Sequence, residues 1–182
     1  MRKEFNNLTE LIKNNLDTPE TKECLELINK LKDVKQKGFF TKEQFLDVVR
    51  WKSPRPEKHY LSNSEESVVE TSRKMLSTDS EDLKMSILDS LNGVSIAVAS
   101  SLLTIVDPKN YGIIDIRVWQ LLHKYDEVKT KPGGQGFNLD DWKLYLSILK
   151  KYASQFNVTV RDIERILFEH HKEVQEGLLY KN

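Results

Sequence analysis

The chain has 182 residues, in which 28 Lys and Arg balance 28 Asp and Glu, so the formal net charge is zero. With 31 % charged and 38 % hydrophobic residues it carries enough apolar material to fold as one domain with a substantial core. The single cysteine, Cys24, excludes an internal disulfide framework, a cysteine-ligated iron–sulfur cluster and a multi-cysteine zinc site. The charge balance argues against a strongly basic protein that coats nucleic acid.

No apolar signal region is present among the first residues, and no apolar run approaches the ~18 residues that a membrane helix needs. The longest such run, residues 94–106, is interrupted by three serines and a threonine. We therefore expect a cytoplasmic protein with no membrane partner.

The first third of the chain has helical periodicity, with turn residues between the periodic segments. The opening segment places apolar residues on one face, namely Phe5, Leu8, Leu11, Ile12 and Leu16. Thr18-Pro19-Glu20 is typical of a helix start and predicts a helix that ends before Gly38. That helix is expected to bury Leu25, Ile28 and Leu31. Thr41 and Gln44 predict a capping box for the next, short helix.

Two closely spaced prolines in residues 51–56 favour an extended path after this helix. Asn63 or Ser64 can cap the following helix, and Asp79 or Ser80 can cap the one that Gly93 ends. Four more helices are predicted, over residues 96–105, 116–125, about 138–156 and about 159–174. Residues 131–136 form the one flexible loop. The pattern indicates an all-α protein of roughly nine helices.

Residues 91–100 are the most informative segment, because an apolar helix meets a tight glycine turn and a second apolar helix begins at once. The N–H groups of Val94, Ser95 and Ala97 would lack partners at the start of the second helix. Such N–H groups bind anions, of which a nucleic-acid phosphate is one. A plain helical hairpin with a glycine cap explains the same pattern equally well.

This segment resembles the helix-hairpin-helix superfamily of DNA glycosylases. Their pattern is Leu-Pro-Gly-Val-Gly-x-Lys-x-Ala, then an apolar helix, then an extended connector that ends in a catalytic Asp. Asp115 falls at the position of that Asp, between Ile113-Ile114 and Ile116, with Arg117 where the family often has His. The residues on the hairpin pattern are Leu91, Gly93, Val94 and Ala99, and Leu102 and Leu103 continue the apolar helix.

The resemblance implies a two-lobed helical fold that spans residues 1–182 as a single domain. Within it, the hairpin would occupy about residues 80–106, the connector residues 107–115 and the C-terminal helices residues 138–175. Gly93, Val94, Ser95 and Ala97 would then contact the DNA backbone.

Three positions depart from the family pattern. Asn92 replaces the usual Pro, and Ser95 replaces the second Gly and brings a hydroxyl that can contact phosphate. Ala97 stands where bifunctional members carry the Schiff-base Lys, so the resemblance implies a monofunctional enzyme without a β-lyase step by that route. The lack of further cysteines excludes the iron–sulfur branch.

Asp115 suits the hydrolysis of an N-glycosidic bond. Cleavage builds positive charge on the sugar, and a carboxylate beside C1′ stabilises that charge and orients or deprotonates the attacking water. An ordinary helix N-cap, worth about 1 kcal/mol, explains the residue as well. The two interpretations are compatible.

A base that leaves the duplex stack needs aromatic pocket walls, for which Trp51, Tyr60 and Trp119 are the candidates, although each is also a plausible core residue. Residues 50–60 carry four bases against one acid, with aromatic residues between them. This composition suits a DNA-facing loop in which Lys52 and Arg55 contact phosphate, or else a solvated connector. Residues 62–91 carry seven acids against three bases, so basic and acidic residues are concentrated in different segments of the chain.

Several related glycosylases hold a sodium or potassium ion on backbone carbonyls of the hairpin. By resemblance, the carbonyls of Asp89, Leu91 and Val94 would hold it here. No other cofactor is implied.

The first hypothesis is therefore a monofunctional, monomeric DNA glycosylase that releases a damaged or modified base from double-stranded DNA, near the nucleoid if the source is a prokaryote. Oxidised, alkylated, deaminated and hypermodified viral bases all stay open as substrates, so repair and defence against phage DNA are both open roles. The second hypothesis is a non-catalytic DNA-binding hairpin protein, which Ser95 favours. The third is an all-α interaction protein with no nucleic-acid role.

Overall fold

A computed structural model describes residues 4–177 and 179 of the chain. The described residues form eleven helices and no strand, which confirms the all-α prediction. The helices are α1 (Leu8–Lys13), α2 (Lys22–Lys30), α3 (Val34–Lys37), α4 (Lys42–Lys52), α5 (Glu57–Ser62), α6 (Glu65–Ser77), α7 (Glu81–Asp89), α8 (Ile96–Val106), α9 (Ile116–Lys124), α10 (Leu139–Phe156) and α11 (Val160–Val174). None of these helices is long and apolar enough to cross a membrane.

The chain divides into two compact units. The central unit is Thr21–Pro108, in which α4 packs on α8 and α6 packs on α7. The terminal unit joins Met1–Glu20 to Lys109–Asn182, and in it α11 packs against α1, α9 and α10.

Helix α8 forms the core of the central unit, although it contains serine and threonine. The hydroxyls of Ser100 and Ser101 donate to the carbonyls of Ala97 and Val98, and the Thr104 hydroxyl donates to the carbonyl of Ser100, over 2.6–2.8 Å. These bonds satisfy the polar groups within the helix itself. The polar interruptions of the apolar run are therefore compatible with complete burial of Ser100 and Ser101.

A buried ionic network ties the N-terminal segment to α11 in the terminal unit. The Arg161 guanidinium donates to the Glu20 carboxylate at 2.7 Å, and Arg165 donates to the Thr18 carbonyl at 3.0 Å. Glu20 therefore pairs with side chains of α11 and does not lie at the start of a helix. The prediction that Thr18-Pro19-Glu20 starts α2 is wrong, because Thr21 is the N-cap and its hydroxyl accepts from the Cys24 N–H.

The buried face of α2 also differs from the predicted one. Cys24 is fully buried, whereas Leu25, which was expected in the core, is 51 % exposed. The predicted single helix up to Gly38 is in fact two helices, α2 and α3, and Gly38 ends the second in the left-handed conformation (φ +80°).

The two prolines interrupt the helices for fewer residues than predicted. Trp51 and Lys52 are still part of α4, and α5 begins directly after Pro56, which is its N-cap residue. A proline is compatible with a helix start because its missing N–H has no intrahelical partner there. The added α5 and the split of the second helix explain why eleven helices are described instead of nine.

Candidate functional site: the hairpin turn and Asp115

The turn between α7 and α8 has the geometry of a type II turn. The Val94 N–H donates to the Leu91 carbonyl at 3.1 Å, and Gly93 has φ +82°. A type II turn needs a positive φ at its third residue, which glycine adopts without strain, and it favours proline at its second residue, here Asn92. Because the Val94 N–H is already bonded, the prediction that it lacks a partner is wrong.

The start of α8 lacks a side-chain cap. Ser95 is the N-cap residue, with φ −92° and ψ 170°, but its exposed side chain makes no capping hydrogen bond. The other described helices of eight or more residues each have an N-cap side chain that accepts a backbone N–H of the first turn. The N–H groups of Ile96, Ala97 and Val98 have no intrahelical acceptor, so the start of α8 offers N–H donors to an anion.

Asn63 holds this turn from the end of α5. Its Oδ1 accepts the Asn92 N–H at 2.9 Å, and its Nδ2 donates to the Asn92 carbonyl at 3.0 Å. Its side chain is buried, since Asn63 is only 4 % exposed. The sequence offers Asn63 only as a helix cap, a role that Ser64 fills. A contact across 29 residues leaves no local signal in the sequence.

The three carbonyls proposed for a monovalent cation lie in the turn and at the end of α7. One of them, the Leu91 carbonyl, accepts the Val94 N–H. The described residues contain no cluster of three or more His, Cys, Asp or Glu that could hold a metal ion. A site built from the carbonyls of Asp89, Leu91 and Val94 needs no such cluster, and it stays a prediction.

Asp115 is held in one orientation at the start of α9, in the terminal unit. Its Oδ1 accepts the Arg117 N–H at 2.9 Å, so the predicted N-cap is confirmed. Ile113 and Ile114 anchor the connector in the core, where the Tyr145 hydroxyl donates to the Ile113 carbonyl at 2.7 Å. Asp115 is partly exposed.

The Arg117 side chain connects this helix start to α11. Its guanidinium lies 3.4 Å from His171 Nδ1, and His171 Nε2 lies 3.0 Å from the Gln120 amide oxygen. Burial and the Arg117 charge lower the pKa of His171, and the Asp115 carboxylate opposes them. The imidazole is therefore neutral near pH 7, with Nδ1 as the acceptor and Nε2–H as the donor.

A cavity of about 650 Å³ lies beside His171 in the terminal unit. It is lined by Gln120, Leu121, Lys124, Lys131, Pro132, Gly133, Gly134, Gln135, His171, Val174, Gln175, Glu176 and Leu179. The Gln120 amide donates to the Gly133 carbonyl at 3.0 Å and so fixes one wall. Asp115 is not among the lining residues, so this cavity does not enclose the candidate catalytic acid.

Two of the three aromatic candidates for a base pocket lie in the core. Tyr60 and Trp119 are each 0 % exposed, so neither offers a ring face to an extruded base in this structure. Trp119 also donates its indole N–H to the Thr130 carbonyl at 3.1 Å. Both are large side chains on helices that pack inward. Helical spacing alone does not distinguish such core residues from the walls of a pocket.

Trp51 is partly exposed and lies in the central unit. It lines a hollow of about 290 Å³ with the carboxylates of Glu23, Glu26 and Asp47 and the ammonium of Lys30. The excess of negative charge there disfavours a nucleic-acid phosphate.

The two basic side chains proposed to contact phosphate also belong to the central unit. Lys52 is partly exposed in the last turn of α4, and Arg55 is exposed in the turn before α5. The central unit therefore holds the hairpin turn, Asn63 and both basic residues. Asp115, Trp119 and His171 belong to the terminal unit.

Comparisons with known protein families, with curated proteins and with solved structures find no match to this chain. The likeness to the helix-hairpin-helix superfamily therefore rests on the residues of the hairpin and of the Asp115 connector alone.

Proposed function

We propose that this protein is a monofunctional DNA glycosylase, which hydrolyses the N-glycosidic bond of an extruded, modified base in double-stranded DNA. The observation that carries the proposal is the uncapped start of α8 directly after a type II turn. Ser95 is exposed and leaves the first N–H groups of the helix without a side-chain acceptor. A DNA phosphate supplies the missing acceptor and is favoured by the positive end of the helix dipole.

This mode of binding also agrees with the zero net charge of the chain. Backbone N–H groups attract a phosphate without adding to the count of charged side chains. Lys52 and Arg55 add two positive charges in the same unit. Affinity for unmodified DNA is therefore expected to be modest and to fall as salt is added.

The chemical step is assigned to Asp115. Its carboxylate would stabilise the positive charge that develops on the sugar and would orient or deprotonate the attacking water. The bond between C1′ and the base nitrogen breaks, water supplies the hydroxyl at C1′, and the base leaves with a proton. Ala97 carries no amine, so no covalent intermediate forms at that position.

The test is release of free base from a panel of duplexes that carry oxidised, alkylated, deaminated or hypermodified bases. Mass spectrometry detects the base, and a denaturing gel follows the strand. We expect a released base from at least one class, with strand breakage only after heat or alkali. Immediate strand breakage without heat or alkali would contradict a monofunctional enzyme.

A non-catalytic DNA-binding protein is the second candidate. It is favoured by the burial of Tyr60 and Trp119 and by a cavity whose lining excludes Asp115. Salt-dependent binding to duplex DNA, with no base released from any member of the panel, would support it over the glycosylase. A parent protein that binds no DNA would contradict both candidates.

A further inference from the structure

The Asn63 side chain makes two hydrogen bonds to the backbone of Asn92, one to each of the two peptide groups that flank its Cα. One side-chain amide both accepts the Asn92 N–H at 2.9 Å and donates to the Asn92 carbonyl at 3.0 Å. The same Nδ2 lies 3.1 Å from the Tyr60 carbonyl, at the last turn of α5. The buried amide therefore links the end of α5 to the second residue of the type II turn.

The same helix end also contacts the third residue of the turn. A Cβ placed on Gly93 would lie 2.8 Å from His59 Cβ and 3.0 Å from Tyr60 Cδ1. Helix α5 and the turn are thus in direct van der Waals contact beside the Asn63 bonds. This packing and the amide bonds together hold the turn against the end of α5.

A type II turn favours proline at its second residue, because the ring fixes φ near −65° and removes an N–H. Asn92 has neither advantage, since its backbone is freer and its N–H needs an acceptor. The Asn63 amide supplies that acceptor and restrains the peptide groups before and after Asn92. Without it, the turn would lose this restraint and the Asn92 N–H would lose its acceptor.

We propose that Asn63 is the positioning residue of the DNA-binding turn, and that it replaces from a distance the restraint that a proline at position 92 would give. It aims the N–H groups of Ile96, Ala97 and Val98 at the phosphate. This inference rests on the proposed function in so far as the turn binds DNA. Asn63 itself does not contact the phosphate.

The test measures the affinity for a short fluorescein-labelled DNA duplex by anisotropy, at several salt concentrations. Asn63→Ala removes both bonds to Asn92 and is expected to weaken binding about tenfold. Asn92→Pro introduced into the Asn63→Ala variant is expected to restore most of that loss, since the ring fixes the same turn and removes the orphaned N–H.

Ser72→Ala is the matched control for a general loss of stability. The Ser72 hydroxyl is buried in the same unit and accepts the Phe40 N–H at 2.9 Å instead of a group of the turn. Ser72→Ala is expected to lower the melting temperature while leaving DNA affinity unchanged. All variants are compared at a temperature at which circular dichroism shows them fully folded.

The outcomes separate this inference from the proposed function. Weaker binding by Asn63→Ala, with rescue by Asn92→Pro and none of the loss in Ser72→Ala, supports the positioning role. An Asn63→Ala variant that binds as the parent does, or a loss that Asn92→Pro does not restore, overturns that role and leaves DNA binding standing. A parent protein with no salt-dependent DNA binding overturns both.

Discussion

Gly93→Ala is the substitution whose cost can be worked out most directly from the structure. An alanine at φ +82° adopts a left-handed conformation, which costs roughly 1–2 kcal/mol for an L-residue. Its Cβ would also lie 2.8 Å from His59 Cβ. Forcing apart packed groups adds roughly 1–3 kcal/mol, so we expect a total loss of about 2–5 kcal/mol.

Gly38→Ala is the matched control, because Gly38 has nearly the same backbone angle but open space around it. Its φ is +80°, and no atom lies within 4 Å of an added Cβ. Only the backbone cost of roughly 1–2 kcal/mol applies there. Both glycines belong to the central unit, so the same unfolding transition reports on both variants.

Urea unfolding followed by circular dichroism measures both losses as shifts of the midpoint at constant slope. We expect Gly93→Ala to lose about 1 kcal/mol or more beyond the loss in Gly38→Ala, because only the Cβ at position 93 meets a neighbouring side chain. Equal losses in the two variants would contradict the close contact between α5 and the hairpin turn at Gly93.

Two further predictions concern charge. Ser95→Asp is expected to stabilise the chain by about 1 kcal/mol in thermal unfolding, because the carboxylate caps α8 and faces its positive end. The same carboxylate repels phosphate, so DNA binding is expected to weaken, and equal or tighter binding would refute the phosphate site. Ser64→Asp, at the start of a helix that is already capped, is the control. Because burial lowers the pKa of His171 in the folded chain, the unfolded chain takes up more protons as the pH falls below about 6.5. The contribution of neutral His171 to the free energy of unfolding is therefore fully present above that pH and is lost below it. The midpoint of unfolding should fall less steeply from pH 7 to pH 5 in His171→Gln than in the parent.

The elements that the sequence predicted correctly depend on contacts between residues two or three positions apart. Thr41 with Gln44 is a capping box, and Ser64, Ser80 and Asp115 each cap the helix that follows. Such signals are local and appear directly in the sequence.

The errors concern contacts between distant parts of the chain. Thr18-Pro19-Glu20 has the pattern of a helix start, but Glu20 pairs with Arg161, 141 residues away. Tertiary ion pairs of this kind override a local pattern. The Asn63 contact to Asn92 was not predicted for the same reason, because it joins residues that are distant in the sequence.

The candidate site was predicted in part. The tight glycine turn and the Asp115 cap followed from local residue types, whereas the Val94 N–H has a partner that was not predicted. The proposed aromatic pocket depended on which face of each helix turns inward. Helical spacing alone does not separate Tyr60 and Trp119 in a core from the same rings in a pocket wall.

The most direct test of the central claim compares base release by the parent and by Asp115→Asn on the modified duplex that the parent cleaves best. Asparagine keeps an oxygen that can accept the Arg117 N–H, so the start of α9 is preserved while the negative charge is lost. Asp140→Asn, in the exposed first turn of α10, is the matched control.

The account predicts that Asp115→Asn binds the duplex as tightly as the parent and releases base at least about a hundredfold more slowly, with Asp140→Asn unchanged. Base release by Asp115→Asn at the parental rate would contradict the assignment of Asp115 as the catalytic carboxylate.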